Sequence, residues 1–144
     1  MAKPRWSMKK SGVRSGLEDR VKKDLDKRGI TYGYETVRLR YTKLCCPKCG
    51  ESIKSGQYTP DFVFERTFGL RLLVETKGLF TSTDRTKHLA VKCSNPKEDI
   101  RFLFQRDNPI RKGSKTKYST WCLKNGYIFS VGESIPEEWL KGTK

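Results

Sequence analysis

The chain has 144 residues and carries 31 Lys and Arg against 16 Asp and Glu, a formal net charge of +15, which points to a polyanionic partner and to one domain large enough for its own core. No apolar run approaches the roughly 18 residues that span a bilayer, no basic amphipathic helix has a rich aromatic face, and no signal-peptide pattern opens the chain, so no membrane role is expected. Five cysteines, an odd number with three of them in Cys45-Cys46-Pro47-Lys48-Cys49, do not read as a secreted disulfide framework and suit a reducing, cytoplasmic setting.

Residues 1–13 are basic and interrupted by Gly and Ser. They read as a flexible arm able to lie on a phosphate backbone, or as an unstructured terminus with no role. Ser15-Gly16-Leu17-Glu18 has capping-box spacing and opens a predicted helix. Leu17, Val21 and Leu25 form its buried stripe, and Gly29 ends it. At 100° per residue Glu18 falls on the border of that stripe, so its side chain serves either the cap or the interior edge of the fold. Tyr32–Tyr41 reads as an edge or exposed strand. The turn-rich Cys45–Gln57 stretch interrupts the pattern, and residues 42–57 form an insertion. Tyr58–Phe64 and Leu70–Thr76 read as strands, the latter apolar enough to be central. Asp84 to about Cys93 is a predicted helix with Ser82 or Thr83 as cap. A strand at Ile100–Phe104, a basic loop at Asp107–Tyr118, a short helix at Thr120–Asn125, a strand at Tyr127–Phe129 and a helical turn at Ile135–Leu140 with Pro136 at its start complete the chain. The order predicts an α/β fold, a mixed β-sheet flanked by helices, in a single domain spanning 1–144.

Thr59-Pro60-Asp61-Phe62 and Val74-Glu75-Thr76-Lys77-Gly78 carry the chemistry. Thr67-Phe68-Gly69 suits a three-residue hairpin loop ending in a left-handed Gly. With Phe68 at the centre, facing residues sum to 136, so Asp61 opposes Glu75. Directly opposed residues have Cβ atoms about 4.5–5.5 Å apart, and Lys77 keeps the same face. Two facing carboxylates repel unless a cation lies between them. An Asp with a Glu-x-Lys therefore suits a metal-dependent phosphodiesterase, the acids holding a hard divalent cation and the lysine beside the reacting water or phosphate. The plainer reading is a surface Asp/Glu/Lys cluster in which Lys77 neutralises one acid.

Arg14-Ser15-Gly16-Leu17-Glu18-Asp19, Tyr58-Thr59-Pro60-Asp61-Phe62, Val74-Glu75-Thr76-Lys77-Gly78-Leu79, Asp84-Arg85 with Lys87-His88-Leu89, and Ile135-Pro136 with Glu138-Trp139 resemble, in the same order, the phage endonuclease I family. These are Holliday-junction resolvases of T-odd coliphages within the PD-(D/E)xK nuclease superfamily. The resemblance implies a restriction-endonuclease-like fold in an intertwined, strand-exchanged homodimer that resolves four-way junctions and other branched DNA in the host cell by Mg2+-dependent hydrolysis, with Mn2+ as a substitute. It implies that Asp61, Glu75 and the Thr76 backbone carbonyl bind the first metal, that Glu18 completes the site on the second-metal side, and that Lys77 positions the attacking water and stabilises the developing charge. The chain departs from the family in a longer Asp-to-Glu hairpin and in the Cys45–Gln57 segment, which falls where members have a strand bridging two subunits. The insertion bears on dimer geometry rather than on chemistry.

Cys46-Pro47-Lys48-Cys49-Gly50 matches one knuckle of a zinc ribbon, with Cys45 as a third local thiolate. It reads as a Zn2+ site completed by a partner's knuckle, or as a tight turn with free thiols. Cys93 and Cys122 read as ordinary core cysteines. His88 reads as a surface or supporting residue, or as a phosphate contact. Arg14, Arg85, Lys87 and the loop cations Arg111, Lys112, Lys115 and Lys117 are candidate DNA-backbone contacts, each with a solvated charge as its plainer reading. No residue set reads base edges, so recognition by shape is expected. The competing functions are a duplex endonuclease of restriction or transposition type and a non-catalytic basic DNA-binding protein.

Overall fold

In a computed structural model that describes residues 5–143, with side chains described from Gly16 onward, the chain runs α1 (Arg5–Lys27), β1 (Gly33–Tyr34), β2 (Leu39–Cys45), β3 (Ser52–Tyr58), β4 (Phe62–Glu65), a 3-10 turn (Thr67–Gly69), β5 (Arg71–Lys77), α2 (Ser82–Ser94), β6 (Asp99–Phe104), α3 (Tyr118–Lys124), β7 (Ile128–Val131) and α4 (Glu137–Leu140). Five strands form a mixed sheet in the order β1-β4-β5-β6-β7, and β2 and β3 form a separate two-stranded sheet. No helix among the described residues is long and apolar enough to cross a membrane.

The hairpin register is the one the loop predicts. Phe62 faces Val74, Val63 faces Leu73, Phe64 faces Leu72 and Glu65 faces Arg71. The Arg66 N–H donates to the Leu70 carbonyl at 2.8 Å and closes the loop. Both Phe68 and Gly69 are left-handed, at φ 62° and 71°. After β5 the chain crosses over through α2 and returns as β6, parallel to β5, and β7 adds in parallel beyond it. This makes β5 the central strand, as its apolar run requires.

Side-chain alternation along β5 sorts the core into two sides. Leu72 and Val74 pack with Leu17, Val21 and Leu25 of α1 and with Trp139 and Leu140 of α4. Leu73 packs with Val91 of α2 and with Leu39, Tyr41 and Tyr58. A further cluster of Phe80, Phe102, Phe104, Tyr118, Cys122 and Tyr127 seats α3. The end of α1 is a Schellman turn: Gly29, at φ 68°, donates to the Asp26 carbonyl and Ile30 to that of Leu25.

Several elements differ from the sequence reading. The α1 backbone is helical from Arg5, so Ser15 is not its N-cap and the capping box does not explain Glu18. Lys and Arg are good helix formers and carry the helix through the Ser and Gly positions. Residues 1–4 of the basic arm, and the side chain of Arg14, lie outside the described residues. The single strand over Tyr32–Tyr41 is broken. Glu35 turns left-handed at φ 53° and its N–H donates to the Asp61 carbonyl at 3.0 Å, so β1 stays on the main sheet while β2 leaves it. The 42–57 segment extends β2 and β3 into a hairpin with bulges near Leu44. Its β2 strand rests on α2, where Thr42 N–H donates to Ser94 Oγ at 3.0 Å and Asn95 Nδ2 to the Arg40 carbonyl at 2.9 Å. The cap of α2 is Thr81 rather than Ser82 or Thr83. Cys122 is buried as expected, but Cys93 is exposed, because it lies on the outer face of α2 near its end.

Candidate active site

Asp61 immediately precedes the Phe62–Val74 pair on β4 and Glu75 immediately follows it on β5, and the Asp61 charge acts on Glu75. Asp61, Glu75, Thr76 and Lys77 are all buried, between 4% and 7% exposed, so the cluster does not lie on the surface. Asp61 Oδ2 accepts from the Thr76 N–H and the Thr76 hydroxyl, both at 2.8 Å. These bonds hold the acid against the strand end.

Glu75 is gripped from two sides. The Tyr58 hydroxyl donates to Oε2 at 2.8 Å, and the Lys77 Nζ lies 3.2 Å from Oε1. Burial first, and then the Asp61 charge, push the Glu75 carboxyl up to about 7 against the pull of Lys77 and Tyr58. Repulsion between the acids is therefore not fully relieved by the protein's own donors. A pair of hard oxygen donors in that condition fits a divalent cation.

Lys77 also reaches Asp84 Oδ1 at 3.5 Å. Asp84 opens α2, and its Oδ2 accepts from the Thr81 N–H and hydroxyl, both at 3.0 Å, while its own N–H donates to Thr81 Oγ1. Burial alone would raise the Asp84 carboxyl, but Lys77 and the Thr81 bonds outweigh it and hold it below the ordinary carboxylate range. The ammonium of Lys77 is thus fixed between an acid on its own strand and an acid on the next helix.

Glu18 is buried, at 7% exposed, and its Oε2 accepts from the Tyr34 hydroxyl. Burial pushes the Tyr34 hydroxyl far up, with the Glu18 bond and charge next and the more distant Asp61 charge adding to it. Glu18 lines a cleft of about 410 Å3 together with Thr76, Lys77, Gly78, Asp84 and Gln105. Val74 packs toward α1 and Leu73 toward α2, so alternation places Glu75 and Lys77 on the α2 side, whereas Glu18 rises from α1. Accordingly, among the described residues no three of His, Cys, Asp and Glu gather as a group that could hold an ion. Glu18 lines the cleft with Lys77 and Asp84, and the Asp61 charge acts on the same Tyr34 hydroxyl that donates to Glu18.

Tyr58, Tyr34 and Asp84 are the site residues that sequence reasoning missed. The Thr81-x-x-Asp84 spacing was a readable capping box, and it places Asp84 just beyond the Glu-x-Lys strand. Neither tyrosine carries a sequence signal of its role.

The candidate DNA contacts separate into groups. Arg111, Lys112, Lys115 and Lys117 are exposed on the loop before α3. Arg85 is half-buried and donates to the Phe80 carbonyl at 2.7 Å. Lys87 sits 5.4 Å from the centre of the Tyr58 ring and, with Lys43, Tyr41, Ser82, Thr83 and Thr86, lines an open groove between β2 and α2. His88 is not a DNA contact. It is 1% exposed and lies 5.0 Å from the Tyr58 ring and 4.7 Å from Phe102. Its buried Nδ1 has no hydrogen-bond partner, and burial drives its imidazole down to about 3, with the Lys77 and Lys87 charges adding to the effect. A neutral ring enclosed by aromatics cannot meet a phosphate. Of the cysteines in the hairpin, Cys45 does not complete a three-thiolate cluster with Cys46 and Cys49.

The family model for phage endonuclease I matches residues 1–144. The chain is 39% identical over 137 residues to endonuclease I of Escherichia phage T7, covering 94% of this chain and 83% of that one. It is 40% identical over 132 residues to endodeoxyribonuclease 1 of Enterobacteria phage T3, covering 91% and 78%. With a family match over its whole length and two relatives matched over most of theirs, the chain belongs to the phage endonuclease I family and is an endonuclease.

Proposed function

We propose that the protein is a magnesium-dependent endodeoxyribonuclease that resolves four-way junctions and other branched DNA as a homodimer, acting in the cytoplasm of a phage-infected cell. The observation that carries this reading is the buried pair of acids, Asp61 and Glu75, with the Lys77 amine 3.2 Å from Glu75 and itself lining an open cleft. A divalent ion, magnesium or manganese, would be held by Asp61, Glu75 and the Thr76 carbonyl and would supply Lewis-acid polarisation of the scissile phosphate.

The chain's own residues do the rest. Tyr58 orients the Glu75 carboxylate and Thr76 orients that of Asp61. Asp84 holds the Lys77 ammonium at the cleft wall, where it stabilises negative charge gathering on the phosphate and positions the attacking water. Glu18 closes the cleft from the α1 side and serves the leaving-group half of the site, oriented by Tyr34. The basic loop of Arg111, Lys112, Lys115 and Lys117 and the lysine- and hydroxyl-lined groove beside α2 offer sequence-independent phosphate contacts, which supports selection by branch shape. The exposed β2–β3 hairpin, unpaired with the main sheet, supports an arm that reaches a second copy.

A labelled immobile four-way junction and its linear duplex control, each incubated with Mg2+ and with EDTA, test the reading. Junction cleavage in Mg2+ alone is expected. Glu75→Ala and Lys77→Ala should abolish cutting while junction affinity stays within a few-fold. Equal cutting of duplex and junction would favour a duplex endonuclease, and tight binding with no cleavage at any time would leave a non-catalytic DNA-binding protein.

A further inference from the structure

The tip of the β2–β3 hairpin is built around two cysteines that the nuclease site does not use. Cys46 opens the turn and Cys49 nearly closes it, with Pro47 and Lys48 between them. The Cys46 N–H donates to the Glu51 carbonyl at 2.7 Å, and the Gly50 N–H donates back to the Cys46 carbonyl at 2.8 Å. Gly50 takes a left-handed φ of 74°, which a side chain there would strain. The backbone amides of Cys49 and Lys48, and then the Cys49 thiol, lower the Cys46 thiol below its ordinary range. Two cysteines spaced across a turn closed in this way supply half of a tetrahedral thiolate site.

The half is not completed within the chain. Cys45 ends β2 and does not join the pair, and no third His, Cys, Asp or Glu gathers there among the described residues. Structural zinc takes four protein ligands. The hairpin also exposes Leu44 at 56% and Ile53 at 62%, on the two strands that lead to the turn. An apolar pair beside an incomplete ligand set is what a second copy of the same hairpin would cover, since a two-fold contact presents each surface to its own image.

We propose that Cys46 and Cys49 bind zinc jointly with the same two residues of a second copy, one ion per two chains. Four thiols lose their protons as the ion binds, giving a tetrathiolate of net charge −2. Lys43, Lys48 and Lys54 lie on the hairpin around it and offset that charge. Zinc therefore pins two hairpins tip to tip. This rests on the homodimer part of the proposed function and on none of its catalytic chemistry.

The test uses the full chain purified without chelator. Zinc by elemental analysis and mass by light scattering are read on one chromatographic peak, and cleavage of a four-way junction is assayed separately. One zinc per dimer is expected, and Co2+ exchanged for it should give the visible absorption of a tetrahedral tetrathiolate. Cys46→Ser and Cys49→Ser should lose the metal, whereas Cys45→Ser should keep it. A zinc-free dimer, one zinc per monomer, or loss of metal on Cys45→Ser would each overturn the proposal. A zinc-free dimer that cuts junctions sinks the zinc site alone, while a zinc-bound dimer that cuts no DNA sinks only the nuclease reading.

Discussion

Conservative changes beside Glu75 should move its titration in opposite directions. In metal-free protein its carboxyl sits at about 7, raised first by burial and then by Asp61, and restrained by Lys77 and Tyr58. Asp61→Asn deletes the like charge and should bring the midpoint down. Tyr58→Phe deletes the hydroxyl 2.8 Å from Oε2 and should take it up. A hydrogen bond to a charged group contributes about 1.5–3 kcal/mol, and about 1.4 kcal/mol corresponds to one pH unit, so the rise should be roughly one to two pH units. The folded value lies above the ordinary 4.5, so the stability Glu75 lends is complete below that pH and disappears as pH climbs through 7. That loss is about 3 kcal/mol in the wild type, on the order of 1.4 kcal/mol per pH unit of displacement. Carbon NMR of labelled glutamate, titrated in EDTA, reads the midpoint directly, and urea unfolding at pH 5 and pH 8 reads the linkage. An ordinary Glu75 midpoint in the wild type, or a shift of the same sign in both variants, would refute the account of this site.

Other expectations follow from single side chains. His88, held down to about 3, lends stability above its ordinary 6.5 and withdraws it as pH falls, by about 2 kcal/mol between pH 6.5 and 5; His88→Phe, whose ring can keep the aromatic contacts, should flatten that acid limb in denaturant titrations. Phe68 is 96% exposed yet left-handed, a conformation that costs a non-glycine residue about 1 kcal/mol. Phe68→Asn should therefore raise the thermal midpoint by roughly 3–5 °C, and a lower midpoint would mean the ring has a partner. Lys115→Ala should weaken junction and duplex binding alike and reduce the slope of log affinity against log salt by about one if the residue meets a phosphate; an unchanged slope would place it in solvent. Leu25→Ala, at a site with no exposure between α1 and the sheet, should cost about 2–5 kcal/mol in urea unfolding.

The hairpin was readable because its loop states its own geometry. Thr67-Phe68-Gly69 fixes the centre, the centre fixes the pairing, and the pairing sets Asp61 against Glu75. Gly29 announced the end of α1 for a similar local reason. What escaped was whatever depends on contacts distant in sequence. Nothing between Tyr32 and Tyr41 says that β1 stays on the main sheet and β2 leaves, because that break is made by Glu35 bonding to the Asp61 backbone. Helix periodicity put Glu18 on the border of the buried stripe, but only the fold shows it bonded to Tyr34 and lining the cleft with Lys77. His88 read as a surface or supporting residue, or as a phosphate contact, and only the fold shows Tyr58, Phe80 and Phe102 closing around it. The bonds of Tyr58 to Glu75 and of Tyr34 to Glu18 are likewise products of the folded chain.

Asp84 performs two jobs with one carboxylate: an oxygen on the Thr81 turn and another on Lys77. Fraying of the first turn of α2 would leave the Lys77 amine with Glu75 as its remaining acid partner; on the proposed mechanism, melting at that helix end then works as a throttle on cleavage.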